Sequence, residues 1–294
     1  MAKRLSVVGC GKVAQTLCRL WANVNEFQIE DIYNRSFESA ERAARSVGAG
    51  RPLRAMEDLA ACDMLVIGVP DDSIHSVAAA LAQRAILRPG TIVFHLSGAL
   101  TSDALQVVDS VGARRASVHP VKTFADVDQA SATFVGTLCS CEGNAEALPV
   151  LDAALRTIGA RPFSISSKQK LLYHAAFVFT SNYLVTLLEC GVDCLEDSGV
   201  DRSLISELLQ PLMNETIENV LRKGAAAALT GPIARGDTNL VRQQLAALES
   251  VGARRASVYR ALGLGTAQLA YESHKLEESQ RIALENILRE KESS

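Results

Sequence analysis

The chain has 294 residues, with 30 Lys+Arg against 33 Asp+Glu and a formal net charge of −3. Hydrophobic residues make up 48% and aromatic residues 5%, a profile that suits an Ala/Leu/Val-rich α/β or α protein of one or two domains. No basic surplus favours nucleic acid. No uninterrupted apolar run reaches the roughly 18 residues of a membrane span, so the chain reads as cytoplasmic and not membrane-bound.

The apolar stretch after Met1-Ala-Lys-Arg4 is too short for a signal peptide and is broken by Gly9 and Gly11, so it reads as a first strand, Leu5 to Val8. It leads into Gly9-x-Gly11-x-x-Ala14 and a helix with an apolar stripe of Val13, Leu17, Leu20 and Val24. A second strand, about Gln28–Tyr33, ends in Asn34-Arg35-Ser36, and the helix after it stops at Gly48. Further strands are expected over Pro52–Ala55, Asp63–Val69, Thr91–His95 and Arg115–Val118. Asp71 or Asp72 is expected to cap one intervening helix and Thr101 another, which runs to Val111. This alternation predicts an α/β fold with a doubly wound parallel sheet. A strand over Ala132–Ser140, a helix from about Asn144 to Ile158 and a strand over Arg161–Ile165 complete the domain.

From Ser167 onward the pattern is helical, with interruptions expected near Gly199, at Gly224, over Thr230–Gly236, and around Gly252 and Gly263–Gly265. The reading is thus a Rossmann domain over 1–166 and an all-α domain over 167–294. The charged segment Glu277–Ser294 reads as a solvated helix end or a partner-docking helix. Seven cysteines, an odd number without zinc-site spacing, read as reduced and mostly buried thiols, and no metal site is expected. Ser-Val-Gly-Ala-Arg-Arg-Ala-Ser-Val occurs at 110–118 and again at 250–258; a strand is expected at the first place and helix at the second.

The strand–glycine turn–helix at the N-terminus is the pattern that cradles a dinucleotide pyrophosphate. Gly9 permits the tight turn, Gly11 lets the backbone approach the phosphates, and Ala14 allows close packing. Cys10, Lys12 and Val13 complete the turn. An enzyme specific for NAD usually carries an acid at the end of the second strand. Here Asn34, Arg35 and Ser36 stand there, and the guanidinium suits a 2′-phosphate, so NADP(H) is the expected cofactor. Asp31 dissents if the register is displaced by a few residues. Ligands of such sheets bind beyond the carboxyl ends of the strands, which nominates Val69 and Pro70 and then His95 beside the cofactor. Ser97, Gly98 and His119 are nominated beside the substrate.

Val7-Val-Gly-Cys-Gly-Lys-Val-Ala14, Asn34-Arg-Ser36 and Gly68-Val-Pro-Asp-Asp-Ser-Ile74 resemble the 6-phosphogluconate dehydrogenase-like superfamily. That superfamily includes pyrroline-5-carboxylate reductase, β-hydroxyacid dehydrogenases and ketopantoate reductase. His95-Leu-Ser-Gly98, His119-Pro-Val-Lys-Thr-Phe124, Lys170-x-x-Tyr-His174 with Ser181-Asn182, and Gly231-Pro-Ile-Ala-Arg-Gly-Asp237 are similar to the Rossmann-like plus DUF2520 proteins within it. The resemblance implies a helical domain that dimerises, and NADP. Related β-hydroxyacid dehydrogenases place a proton-donating Lys and a substrate-orienting Asn one turn apart. Lys170 matches the Lys, whereas His174 stands at the second position and Asn182 two further steps of four along; Lys168 leaves the register open. Lys170 or His174 is then the proton donor, and Arg235 on the glycine-rich loop a clamp for a substrate carboxylate. The expected activity is NADPH-dependent reduction of a small carboxylated carbonyl compound, for example ketopantoate, in a cleft between the domains. An imine reductase of the pyrroline-5-carboxylate type and a non-catalytic NADP(H) sensor or scaffold are the alternatives.

Overall fold

The computed structural model describes residues 2–84 and 86–289. The chain divides into two compact units, Met1–Phe177 and Val178–Ser294.

The first unit is built on one eight-stranded sheet of order β3-β2-β1-β4-β5-β6-β7-β8. The strands are β1 (Lys3–Val8), β2 (Phe27–Tyr33), β3 (Arg51–Leu53), β4 (Met64–Ile67), β5 (Ile92–His95), β6 (Arg114–Pro120), β7 (Leu138–Gly143) and β8 (Arg161–Ser164). Between them run α1 (Lys12–Ala22), α2 (Phe37–Val47), α3 (Asp71–Ala82), α4 (Val127–Ala132) and α5 (Leu148–Thr157); α6 (Lys170–Phe177) follows β8. The reversal between β3-β2-β1 and β4-β5-β6 opens a crevice at the carboxyl ends of β1 and β4, where ligands of such sheets bind. β4 and β5 are buried at every position, which is why they read as continuous apolar runs. Trp21 is fully buried on one face, stacked edge-on against Phe94 at 6.3 Å and donating from Nε1 to the Ala154 carbonyl at 2.7 Å.

Several expectations are corrected here. The sheet is not wholly parallel: β7 runs antiparallel to β6, pairing Pro120 with Cys139. The strand expected over Ala132–Ser140 is displaced to Leu138–Gly143, because Asp126 accepts from Gln129 N at 2.8 Å and caps α4 first. His119 and Pro120 belong to β6 itself. Thr101 does cap its helix, but Ser102–Val111 is wound as 3₁₀ turns. Neither Asp71 nor Asp72 caps α3; Pro70 occupies the cap position.

The second unit holds a π-helical turn (Val178–Asn182) and α7 (Tyr183–Asp197), α8 (Arg202–Lys223), α9 (Ala225–Ala228), α10 (Thr238–Val251), α11 (Ala253–Glu272) and α12 (Glu278–Arg289). Breaks fall at Gly199, Gly224 and Gly252, all with positive φ, and across the Gly231–Gly236 loop. Gly263 and Gly265 do not break α11. A Cβ on Gly263 would lie 2.8 Å from Leu288 Cδ2, so that glycine admits α12 rather than ending a helix. α12 is accordingly no solvated end: Leu284, Ile287 and Leu288 are buried in this unit's core. The helical stretch Ser167–Asp197 has an 18-residue window of mean hydropathy 1.4, so by length and composition it could cross a membrane, although no unbroken apolar run exists.

Candidate active site

The glycine turn is fixed by its neighbours. Gly9 has φ +82°, and a Cβ there would lie 2.4 Å from Val69 Cγ1 and 2.7 Å from Val69 N. A Cβ on Gly68 would lie 2.4 Å from the Gly9 carbonyl oxygen, a second glycine requirement the sequence reading did not single out. Gly11 is different: the nearest atom to its would-be Cβ is Gly68 O at 3.8 Å, an ordinary contact, so the surrounding protein does not itself demand a glycine here. Gly11 is the N-cap of α1 and no side chain caps that helix, which leaves first-turn N–H groups for an anion. Lys12 donates to the Ala125 carbonyl at 2.5 Å, and Val13 and Ala14 line the turn.

Asn34 is the strut of this turn. It is buried, accepts from Cys10 N at 2.6 Å through Oδ1, and donates from Nδ2 to Ser39 Oγ at 3.1 Å. Ser36 caps α2 by accepting from Ser39 N. Asp31 is settled: it is buried, accepts from Arg51 Nε at 2.8 Å and from Ala60 N at 2.7 Å, and holds β3 to β2. A cavity of about 730 Å³ is lined by Gly9, Cys10, Gly11, Asn34, Arg35, Ser36, Arg42, Val69 and Pro70. Arg42 brings a second guanidinium beside Arg35; it lies one α2 turn and a half beyond the motif, so spacing alone did not flag it. The lining and its two guanidinium groups fit an adenine dinucleotide.

A smaller cavity of about 160 Å³ continues along Gly11, Lys12, Val13, Asp71, Leu96 and Ser97. Ser97 Oγ donates to Asp71 Oδ2 at 2.7 Å and accepts from the N–H groups of Ala99 and Leu100 at 3.1 and 2.9 Å, so it shapes its loop. His95 is fully buried. Its Nε2 lies 3.0 Å from the Thr101 carbonyl, which can only accept, so Nε2 carries the proton. Nδ1 then accepts from Ser97 N at 3.2 Å. Burial holds the His95 pKa down at about 4, helped by the Lys170 charge. His95 is therefore a neutral scaffold for the loop that presents Ser97 and Gly98.

His119, at the end of β6, meets α6. Its ring lies 5.8 Å from Tyr173, 6.2 Å from His174 and 6.0 Å from Phe177, and the Tyr173 hydroxyl is 3.2 Å from Nδ1. Burial, and then the electrostatic influence of His174 and Lys170, push its pKa down to about 4. A Cβ on Gly98 would lie 2.7 Å from both His119 Nε2 and His174 Cδ2, so glycine is what allows the two rings to close over the loop. His119, His174 and Gly98 thus form one cluster.

Lys170 is fully buried and the exposed Lys168 is not in the site, which settles the register of α6. Its amine donates to Ser117 Oγ and lies 3.4 Å from Glu142 Oε1. Glu142, buried on β7, also accepts from Ser102 N at 2.6 Å and Ser102 Oγ at 2.8 Å. Burial lowers the Lys170 pKa, and the Glu142 charge opposes that shift. Sequence reasoning missed Glu142 and Ser117, because partners from β6 and β7 meet α6 only once the sheet is assembled; Tyr173 stood in the quoted motif without a role. Asn182 lies in the π turn of the second unit, which breaks the four-residue periodicity used to place it. Arg235, also in that unit, is exposed on the loop that Gly236 (φ +71°) and the Asp237 cap hold in shape.

Residues 2–120 match the Rossmann-like domain model and residues 137–266 match the domain of unknown function DUF2520. No protein of curated function matches the sequence. Among solved structures, a candidate NADP oxidoreductase of Bacteroides fragilis has TM-score 0.77 at 20% identity, covering 91% of this chain and 98% of its own. A Thermotoga maritima protein has TM-score 0.67 at 24% identity, covering 92% and 99%. Pyrroline carboxylate reductase of Plasmodium falciparum, solved with NADP bound, has TM-score 0.57 at 15% identity, covering 91% and 98%. The chain thus carries a Rossmann-like domain followed by a DUF2520 domain, on the fold described above.

Proposed function

We propose that this protein is an NADPH-dependent oxidoreductase that reduces a small carboxylated carbonyl compound, such as a 2-keto acid. The observation that carries the reading is the pair of cavities around Gly11. One is lined by Arg35, Ser36 and Arg42, and the other ends at Ser97 on the loop over which His119 and His174 close. When bound, the nicotinamide supplies the hydride. The chain's own groups do the rest. First-turn N–H groups of α1 hold the pyrophosphate, and Arg35, Ser36 and Arg42 hold the 2′-phosphate. Neutral His119 orients the reacting heteroatom by hydrogen bonding, and His174 gives it the proton.

Imine reduction is the second reading. The Lys170 amine is turned to Ser117 and Glu142, so the lysine that serves alcohol chemistry in related enzymes is engaged elsewhere. The relative solved with NADP bound is a pyrroline carboxylate reductase. A homodimer through the helical unit is also proposed. In α8, 22 residues long, only Ile205 is buried, while Leu208, Leu212 and Leu221 are 52%, 62% and 82% exposed. So much exposed apolar surface on one helix marks a partner site.

The test is fluorescence titration with NADPH and NADH, then NADPH oxidation with a panel of 2-keto acids and cyclic imines. Selective NADPH binding and turnover of one class is the expected result. Binding without turnover of either class leaves a nucleotide sensor, and no binding by folded protein overturns the reading. His174→Asn is expected to lower kcat about 10²-fold or more while NADPH affinity holds.

A further inference from the structure

α6 carries Tyr173, His174 and Phe177 against His119, yet the one residue it buries is Lys170. Leu171 and Leu172, its first apolar residues, are 72% and 71% exposed. A helix normally holds a sheet by an apolar stripe. This one is fastened by an ammonium group, to Ser117 on β6 and Glu142 on β7, and the Glu142 carboxylate is tied by two bonds to Ser102. A buried ion pair is a poor source of stability, because desolvation offsets the attraction, but it is strict about geometry. Apolar contacts alone would let an eight-residue helix rotate or slide. An ammonium that must meet two acceptors on adjacent strands fixes both rotation and rise. Positions i+3, i+4 and i+7 from Lys170 are Tyr173, His174 and Phe177, the face thereby turned to His119.

We propose that Lys170 and Glu142 are positioning residues: their buried pair pins the register of α6 and so holds Tyr173 and His174 against His119. Lys170 acts through that helix and is not the group that hands the proton to substrate. The inference rests on the proposed reading for its catalytic consequence only.

The readout is the titration of the His119 imidazole by NMR in the full chain, assigned with His119→Asn. It needs neither cofactor nor substrate, so its failure is distinguishable from failure of the oxidoreductase reading. The groups that face His119 are Tyr173, His174 and Lys170 of α6 and Asp71 of α3. In the unaltered chain His119 titrates at about 4. In Glu142→Gln, which keeps the Lys170 charge, α6 loses its pin, the rings part and His119 is wetted; Lys170→Met does the same but also removes a charge that holds the His119 pKa down, so Glu142→Gln is the deciding variant. Its midpoint then moves up by at least one unit toward the ordinary 6.5. The double variant, which leaves no unpaired buried charge, shifts His119 in the same way if a single variant does not fold. In turnover, each folded variant loses kcat, and Glu142→Asp recovers part of it. A His119 midpoint that stays at about 4 in folded variants overturns the proposal. So does loss of the fold in all of them, because a pin confined to α6 leaves the sheet intact.

Discussion

Asn34→Asp separates the structural work of the second-strand turn from its charge. The two side chains are isosteric, so the Oδ1 bond from Cys10 N at 2.6 Å survives and the turn keeps its path. The bond to Ser39 Oγ at 3.1 Å also survives, because the serine hydroxyl can rotate to donate. What changes is one negative charge at the mouth of the cavity that Arg35, Ser36 and Arg42 line. A carboxylate at the mouth of a cavity that holds a phosphate of nearly two charges costs about 1–3 kcal/mol in a partly wetted, salt-screened site. That is roughly five- to hundredfold in the Kd for NADPH. NADH, with a 2′-hydroxyl that can donate to the new carboxylate, is expected to bind as well or better. The assay is fluorescence titration of both nucleotides at one ionic strength, with the melting temperature checked to lie within a few degrees. A variant that keeps the NADPH preference within threefold refutes the reasoning, because the 2′-phosphate would then lie elsewhere.

Three other outcomes are expected. Gly98→Ala places a Cβ 2.7 Å from the ends of two histidine rings, which can swing aside; melting should change by about 1 kcal/mol or less, and turnover should fall more than tenfold. Trp21→Phe removes the donor to Ala154 O and leaves a void against Phe94, costing about 2–3 kcal/mol; urea unfolding with no loss of stability would contradict it. His95 titrates at about 4 when folded against 6.5 when unfolded, so the unfolded chain binds the extra proton between those values. Stability is therefore full above pH 6.5 and falls as pH drops toward 4, by about 2 kcal/mol from His95 at pH 5, and urea midpoints independent of pH over this range would refute the neutral, buried assignment.

The glycine-turn half of the candidate site was legible because its determinants are local. A strand, two glycines and a helix in twelve consecutive residues prescribe a turn, and Asn34-Arg35-Ser36 comes directly after the next strand. Backbone conformation and helix ends are set by near neighbours in the chain, so spacing carries the information. The half around His119 and His174 was legible only as residue types. His119, His174 and Lys170 were each nominated, but their division of labour depends on groups 28 and 53 residues distant from Lys170, Glu142 and Ser117. Nothing local distinguishes a lysine turned to a buried carboxylate from one facing an open cavity. The antiparallel β7 was missed for the same reason: strand direction is decided by pairing with β6, not by the sequence of β7.

The repeated nonapeptide shows where the division lies. At 110–118 its glycine ends a run of 3₁₀ turns with φ +75°, and Arg114–Val118 enter β6. At 250–258 the same residues close α10, turn at Gly252 with φ +154° and start α11. By itself the sequence determined that each copy turns at its glycine, because a positive φ is open to little else. The conformation beyond the glycine was decided by tertiary structure. The first copy finds the open edge of β5 and pairs Ala116 with Phe94; the second has no strand edge beside it and packs Ala256 into a helical core. Alanine, arginine, serine and valine differ too little in intrinsic preference to resist either environment.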